Sequence, residues 1–200
     1  MTSMVPMSTA LLVIDGQESF RQRPSWAEIS APDIAERIAR LVAHARDRGD
    51  AVVWVLHAEP GGGGVFDPVR GFVRLLPGLD PCDGEPVLAK TSHNAFTTTS
   101  LAQWLTTRGV DEVVVSGIRT EQCCETTARL ASDLGYRVRF VLDATATQPL
   151  ERHRGRGRLT AAEVQERTAA ALQGRFAEVV SVEDVLGEDV LASSVAVAAS

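Results

Sequence analysis

Three side chains able to do chemistry stand at matching places in this sequence. Asp15 ends the apolar run at residues 10–14, Lys90 ends the run at 86–90, and Cys123 lies just past a β-branched run that stops at Gly117. A thiol attacks a carbonyl as its thiolate, so it needs a base or a depressed pKa. Asp15 could take that proton and later return it to a leaving amine. Lys90 could hold both anions by charge, lowering the thiol pKa and orienting the carboxylate. The stretch 113–128, VVVSGIRTEQCCETTA, supports this locally. Thr120 reads as a helix N-cap, and Cys123 and Cys124 follow in the first turn, where free N–H groups and the positive helix end favour a thiolate. On this pattern either cysteine could react. Backbone N–H groups of the same turn would face a developing oxyanion, and losing one such donor costs about 3 kcal/mol in hydrolases generally.

The use of basic residues singles out one of the three. Lys and Arg together number 20, yet Lys90 is the only lysine. Where Arg is so strongly favoured, a retained Lys points to a need for a compact ammonium with a movable proton.

The surrounding elements must bring these positions together. Residues 10–14 read as a buried strand, and Pro32 and Asp33 open an amphipathic helix that stops near Gly49. Residues 51–57 form a second strand, which makes a strand–helix–strand unit with a parallel crossover. Residues 59–85 are loop-rich, with four glycines at 61–64, but no Lys or Ser/Thr follows them as a phosphate loop would require; a flap or packing loop is expected. Further strands are expected at 86–90, 112–116, 136–142 and 177–182, the fifth ending at Asp143. Helices are expected at 99–108, from the cysteines to Leu134, and from a Thr160–Glu163 capping box to Leu172. This alternation predicts an α/β fold, a doubly wound, mostly parallel six-stranded sheet with helices on both faces. Ligands bind such sheets beyond the carboxyl ends of the strands, where Asp15, Lys90 and Cys123 all fall.

Composition narrows the class. At 200 residues and 44% hydrophobic, the chain predicts one domain over residues 1–187, with 188–200 as a frayed tail. A net charge of −6 argues against a nucleic-acid surface. Three cysteines, two of them adjacent, do not make a disulfide framework, and no apolar run reaches membrane-spanning length. A cytoplasmic protein that does not engage a membrane is expected. Arg152, Arg154, Arg156 and Arg158 sit among glycines in what reads as an exposed loop.

Three segments together resemble the isochorismatase-like cysteine hydrolase superfamily, which includes nicotinamidases, N-carbamoylsarcosine amidases, and ureidoacrylate and biuret hydrolases. Asp15-Gly-Gln17-Glu-Ser-Phe20 is similar to the family's Asp-x-Gln-x-x-Phe, and Lys90 followed by Asn94-Ala95-Phe96 to its Lys-x-x-x-(Ser/Asn)-Ala-Phe. Gly117-Ile-Arg-Thr120-Glu-Gln-Cys123 is similar to its Gly-x-x-Thr-x-x-Cys nucleophile turn. The resemblance implies a catalytic Asp15–Lys90–Cys123 triad and a cis peptide between Ile118 and Arg119. It further implies an oxyanion hole from the N–H groups of Arg119 and Cys123, and a dimer or tetramer. Cys123 is then the nucleophile, and Cys124 a small buried thiol where the family usually has Val.

Departures from the family bear on substrate. Nicotinamidases hold a metal through an Asp-x-His after the second strand; here the place reads His57-Ala58-Glu59-Pro60. His57, Glu59 and His93 could still form a ligand set, though no spacing rule supports it strongly; no metal and no cofactor are expected. Arg119 stands where the family is usually small or apolar; it could fork onto a substrate carboxylate, or point away and make a helix or subunit salt bridge. Phe20, Trp26, His57, Phe66, His93 and Phe96 are candidate pocket walls, Phe20 and Phe96 equally candidates for plain core. His44 and His153 read as structural or solvated. The expected activity is cysteine-dependent hydrolysis of a small amide, carbamoyl or ureido substrate through a thioester on Cys123. The alternatives are isochorismatase-type cleavage of a non-amide bond, or a binding protein that keeps the fold without catalysis.

Overall fold

A central sheet of six parallel strands, seen in a computed structural model that describes residues 8–187, sets the architecture. In chain order the elements are β1 (Ser8–Ile14), α1 (Ile34–Arg48), β2 (Ala51–His57), β3 (Val87–Lys90), α2 (Leu101–Thr107), β4 (Val110–Ile118), α3 (Glu125–Asp133) and β5 (Arg137–Ala146). A small antiparallel hairpin of β6 (Leu150–Glu151) and β7 (Arg158–Leu159) follows, then α4 (Ala161–Leu172) and β8 (Glu178–Val180). The strand order is β3-β2-β1-β4-β5-β8.

The strands are continuous apolar runs because helices cover both faces of a parallel sheet. On one face, α1 packs its stripe of Ile34, Ile38, Leu41, Val42 and Ala45 over Leu11, Val13, Trp54 and Val114. On the other, Leu101, Leu105, Ala128, Ala131 and Leu172 from α2, α3 and α4 meet Leu12, Ile14, Val53, Val55 and Val115. Gly49 ends α1 in the left-handed conformation at φ 75°, and the Thr160–Glu163 capping box forms both of its bonds at the start of α4. Residues 59–85 act as a packing loop: Phe66, Leu76 and Leu79 are buried against the α1 face.

Several local expectations are corrected. Thr120 does not cap a helix; its hydroxyl lies 2.8 Å from that of Thr145 on β5, and a π-helical turn, Thr120–Cys124, precedes α3. The fifth strand continues past Asp143 to Ala146 because an irregularity absorbs extra residues: Val115 pairs with Phe140 but Gly117 with Thr145. The Arg-rich segment is not a plain loop but includes the β6–β7 hairpin, tied down by Arg158 to Glu28 and Arg152 to Glu163. The expected tail at 188–200 lies outside the described residues. Among the described residues, no helix is long and apolar enough to cross a membrane.

Candidate active site

The winding of the sheet changes direction between β1 and β4, and in such folds the crevice beyond those strand ends takes the ligand. Asp15 follows β1, Cys123 lies one turn past β4, and Lys90 closes β3 in register with His57 at the end of β2. The three residues meet. Lys90 Nζ is 2.9 Å from Asp15 Oδ2 and 3.4 Å from Cys123 Sγ. Asp15 and Lys90 are fully buried and Cys123 is 6% exposed, so these charges interact with little solvent screening. Asp15 takes a left-handed φ of 50°, which Asp tolerates better than most residues. Its N–H donates to the Val55 carbonyl at 2.8 Å and its carbonyl accepts from Gln17 N–H at 2.7 Å. The carboxylate is thereby aimed off the strand end, with Oδ1 free of any hydrogen-bond partner.

The turn after β4 is built by close backbone approach. Gly117 has φ 131°, and a Cβ there would lie 1.8 Å from the Ile14 carbonyl oxygen, on the residue that precedes Asp15. The Ile118–Arg119 peptide is cis. The N–H groups of Gln122 and Cys124 both donate to the Arg119 carbonyl, each at 3.2 Å, so neither can serve as an oxyanion donor. Arg119 itself is turned inward: its guanidinium lies 2.9 Å from the Glu121 carboxylate, both side chains being buried. Those two atoms are poorly aligned for a hydrogen bond, while the other Glu121 oxygen accepts from the Thr147 hydroxyl at 2.5 Å. The guanidinium is thus paired two residues along its own turn and points inward, not away.

Burial works against the thiolate that the helix start favours. Burial, with the Asp15 charge adding to it, pushes Cys123 up to about 12; Lys90 opposes this only in part. Burial likewise pushes the Cys124 thiol well above the ordinary range. Asp15 is also raised, by burial first, with the Lys90 ammonium pulling the other way. The helix-end effect on Cys123 is therefore outweighed by loss of solvent. Because only thiolate alkylates, iodoacetamide near neutral pH should modify exposed Cys82 ahead of Cys123. The Cys123 rate should then climb about tenfold per pH unit up to roughly pH 9. A plateau near neutral pH would instead mark a preformed thiolate.

The candidate wall residues divide. Phe66 stands edge-on to Phe20 at 5.0 Å and to His57 at 5.6 Å, with the Arg23 guanidinium 4.9 Å from the Phe66 ring centre. His93, which is exposed, has its ring parallel to His57 with centres 6.4 Å apart. Trp26 packs partly buried against the α1-face core. Phe20 is buried in that same core. Phe96 is buried in the core of the other face and stacks on Tyr136, the residue before β5, with ring centres 6.1 Å apart. His57 Nδ1 faces the Lys90 ammonium at 3.3 Å, and its Nε2 lies 3.3 Å from Glu59 Oε1. Among the described residues no group of three His, Cys, Asp or Glu side chains could hold an ion.

Two supporting residues were given no role by sequence reasoning. Gln17 clamps the His57 backbone, accepting from its N–H at 2.7 Å and donating to its carbonyl at 3.0 Å. Its place in Asp-Gly-Gln was the available signal. Glu125, two residues past Cys123, takes Arg129, Arg167 and Thr168 and so ties α3 to α4. A buried carboxylate paired across helices has no local sequence signature.

The fold and site have known counterparts. The Isochorismatase domain family model matches residues 9–184. The chain is 35% identical to a streptothricin hydrolase of Streptomyces noursei, over 84% of this chain and 58% of that longer protein. The crystal structure of a putative hydrolase of the isochorismatase family from Chromobacterium violaceum superposes with a TM-score of 0.84 at 30% identity, covering 90% of this chain and 92% of that one. A cysteine hydrolase from Pseudomonas syringae pv. phaseolicola does so with a TM-score of 0.82 at 26% identity, each chain 92% covered. With its six-stranded sheet, its three polar groups at the strand ends and these matches, this chain belongs to the isochorismatase family and is a hydrolase.

Proposed function

We propose that the protein hydrolyses a small amide, carbamoyl or ureido compound through a thioester on Cys123. The observation that carries this reading is the sealed contact of one ammonium, Lys90, with both Asp15 and the Cys123 sulfur. As the sulfur attacks the carbonyl carbon, the thiol proton passes to Asp15, whose free Oδ1 offers the acceptor. A carboxylate raised by burial is a better base at neutral pH than an ordinary one. The tetrahedral oxyanion is taken by the N–H groups of Arg119 and Cys123, donors the family resemblance nominates. Collapse breaks the C–N bond, and Asp15 returns its proton to the leaving nitrogen, releasing ammonia or an amine. Water, deprotonated by Asp15, then cleaves the thioester and restores the thiol. Lys90 favours the ionised carboxylate before the thiol is attacked and again before water is deprotonated.

The streptothricin hydrolase and cysteine hydrolase names among its relatives support hydrolysis by a thiol. An ammonia-release screen over amides, carbamoyl compounds and ureides is the test, with Cys123→Ser as control. Turnover that Cys123→Ser abolishes is the expected result. Turnover that survives in the Ser variant, or none with any C–N substrate, would overturn the reading.

A further inference from the structure

The histidine beside the triad has a defined protonation geometry that the proposed reaction does not use. Four acceptors surround the Lys90 ammonium: Asp15 Oδ2 at 2.9 Å, the Ser92 carbonyl at 3.2 Å, His57 Nδ1 at 3.3 Å and Cys123 Sγ at 3.4 Å. An ammonium only donates, so a nitrogen bonded to it must present a lone pair. That places the imidazole proton on Nε2, which lies 3.3 Å from Glu59 Oε1 and can donate to it. The ring is also held in place. Gln17 grips the His57 backbone on both sides, and the Gln17 amide is itself braced by Ser19 Oγ at 2.9 Å. Phe66 stands against one edge of the ring and His93 runs parallel to it.

We propose that His57 is a positioning residue: as a neutral imidazole protonated on Nε2, it holds the Lys90 ammonium in contact with both Asp15 and Cys123. The ammonium has three N–H bonds, and two must reach the carboxylate and the sulfur for the proposed chemistry. His57 and the Ser92 carbonyl are the supports that stop the group from rotating away from them. Glu59 completes the set by accepting from Nε2–H, which keeps Nδ1 free for Lys90. The charged or titratable groups facing His57 are thus Lys90 on β3, Glu59 and His93 in the flanking loops, and Asp15 after β1. This inference rests on the role proposed for Lys90, but its first test needs no substrate.

Nitrogen-15 NMR of the histidine-labelled, substrate-free protein near neutral pH reads the tautomer directly, with His57→Asn identifying the signal. The Nε2–H form should dominate, and in a folded Lys90→Met variant, which has no ammonium to donate, that preference should weaken. An Nδ1–H tautomer, an imidazolium, or His57 signals unchanged by Lys90→Met would each overturn the proposal. The second test uses whichever amide the ammonia screen yields. His57→Leu should lower kcat about tenfold or more, as for loss of a hydrogen bond to a charged group. Asn, whose oxygen can sit where Nδ1 sits, should recover most of that loss with a similar KM. Equal kcat in the two variants would reduce His57 to a space-filling role. If no amide is turned over, the tautomer result stands by itself, so the two ideas fail separately.

Discussion

Replacing Lys90 by Met is expected to lower kcat by about 10³-fold or more while the chain still folds. Met has a comparable volume and suits a fully buried site, so packing survives. What disappears is the cation opposing the burial of Asp15, whose pKa is already raised with Lys90 present. Without it the carboxylate is pushed further up and holds a proton near neutral pH, so it cannot accept one from the thiol. The developing thiolate loses its counter-ion as well. The sign of the stability effect follows by linkage. Asp15 binds its proton more tightly folded than unfolded, so its own contribution to the variant's stability is greatest below the carboxylate's ordinary pKa and is lost as pH rises toward the raised folded value. Thermal unfolding between about pH 4 and pH 8 should therefore show a steeper decline for the variant than for the parent. A kcat within tenfold of the parent would mean that Lys90 has no part in the proton transfers. Arg is no substitute, because its larger planar group cannot fit the sealed space that the ammonium occupies between Asp15 and Cys123.

Gly117→Ala is expected to be among the most damaging single changes to stability. A methyl group there would fall 1.8 Å from the Ile14 carbonyl oxygen, and the residue's φ of 131° is closed to L side chains. Backbone strain and core overpacking each cost about 1–3 kcal/mol, so a combined loss of about 4 kcal/mol is expected. For a chain of this size that lowers Tm by roughly 8–16 °C. β1 and β4 would have to part where they pair, at Ile14 and Gly117, and Asp15 and the nucleophile turn hang from that point. Whatever protein remains folded should therefore lose activity out of proportion to its loss of stability. A Tm within about 2 °C of the parent would show that the strands can separate without strain.

Much of this was legible in the residues. Parallel strands buried on both faces are short apolar runs, which is why β2 begins and ends where its hydrophobicity does. The α4 capping box and Gly49 at the end of α1 are local signals, and both act locally. Asp15, Lys90 and Cys123 could be chosen because each stands at a strand end and one is the sole lysine. Where pattern failed, partners distant in sequence prevailed. Thr120 had the composition of a cap, but Thr145, brought alongside by β5, offered its hydroxyl. Strand β5 ran past Asp143 because pairing with Gly117 and Ile118 continued across an irregularity.

Residue type and order thus determined the α/β class, the strand ends and which side chains stand there, since periodicity, capping and turn chemistry depend on near neighbours. Only the tertiary structure decided that Arg119 turns to Glu121, that Phe96 stacks on Tyr136, and that His57 faces Lys90. It also set the burial that opposes ionisation of the nucleophile. The charge on a buried thiol depends on how much water the whole fold removes and on which ions it brings close, and neither can be counted along a chain.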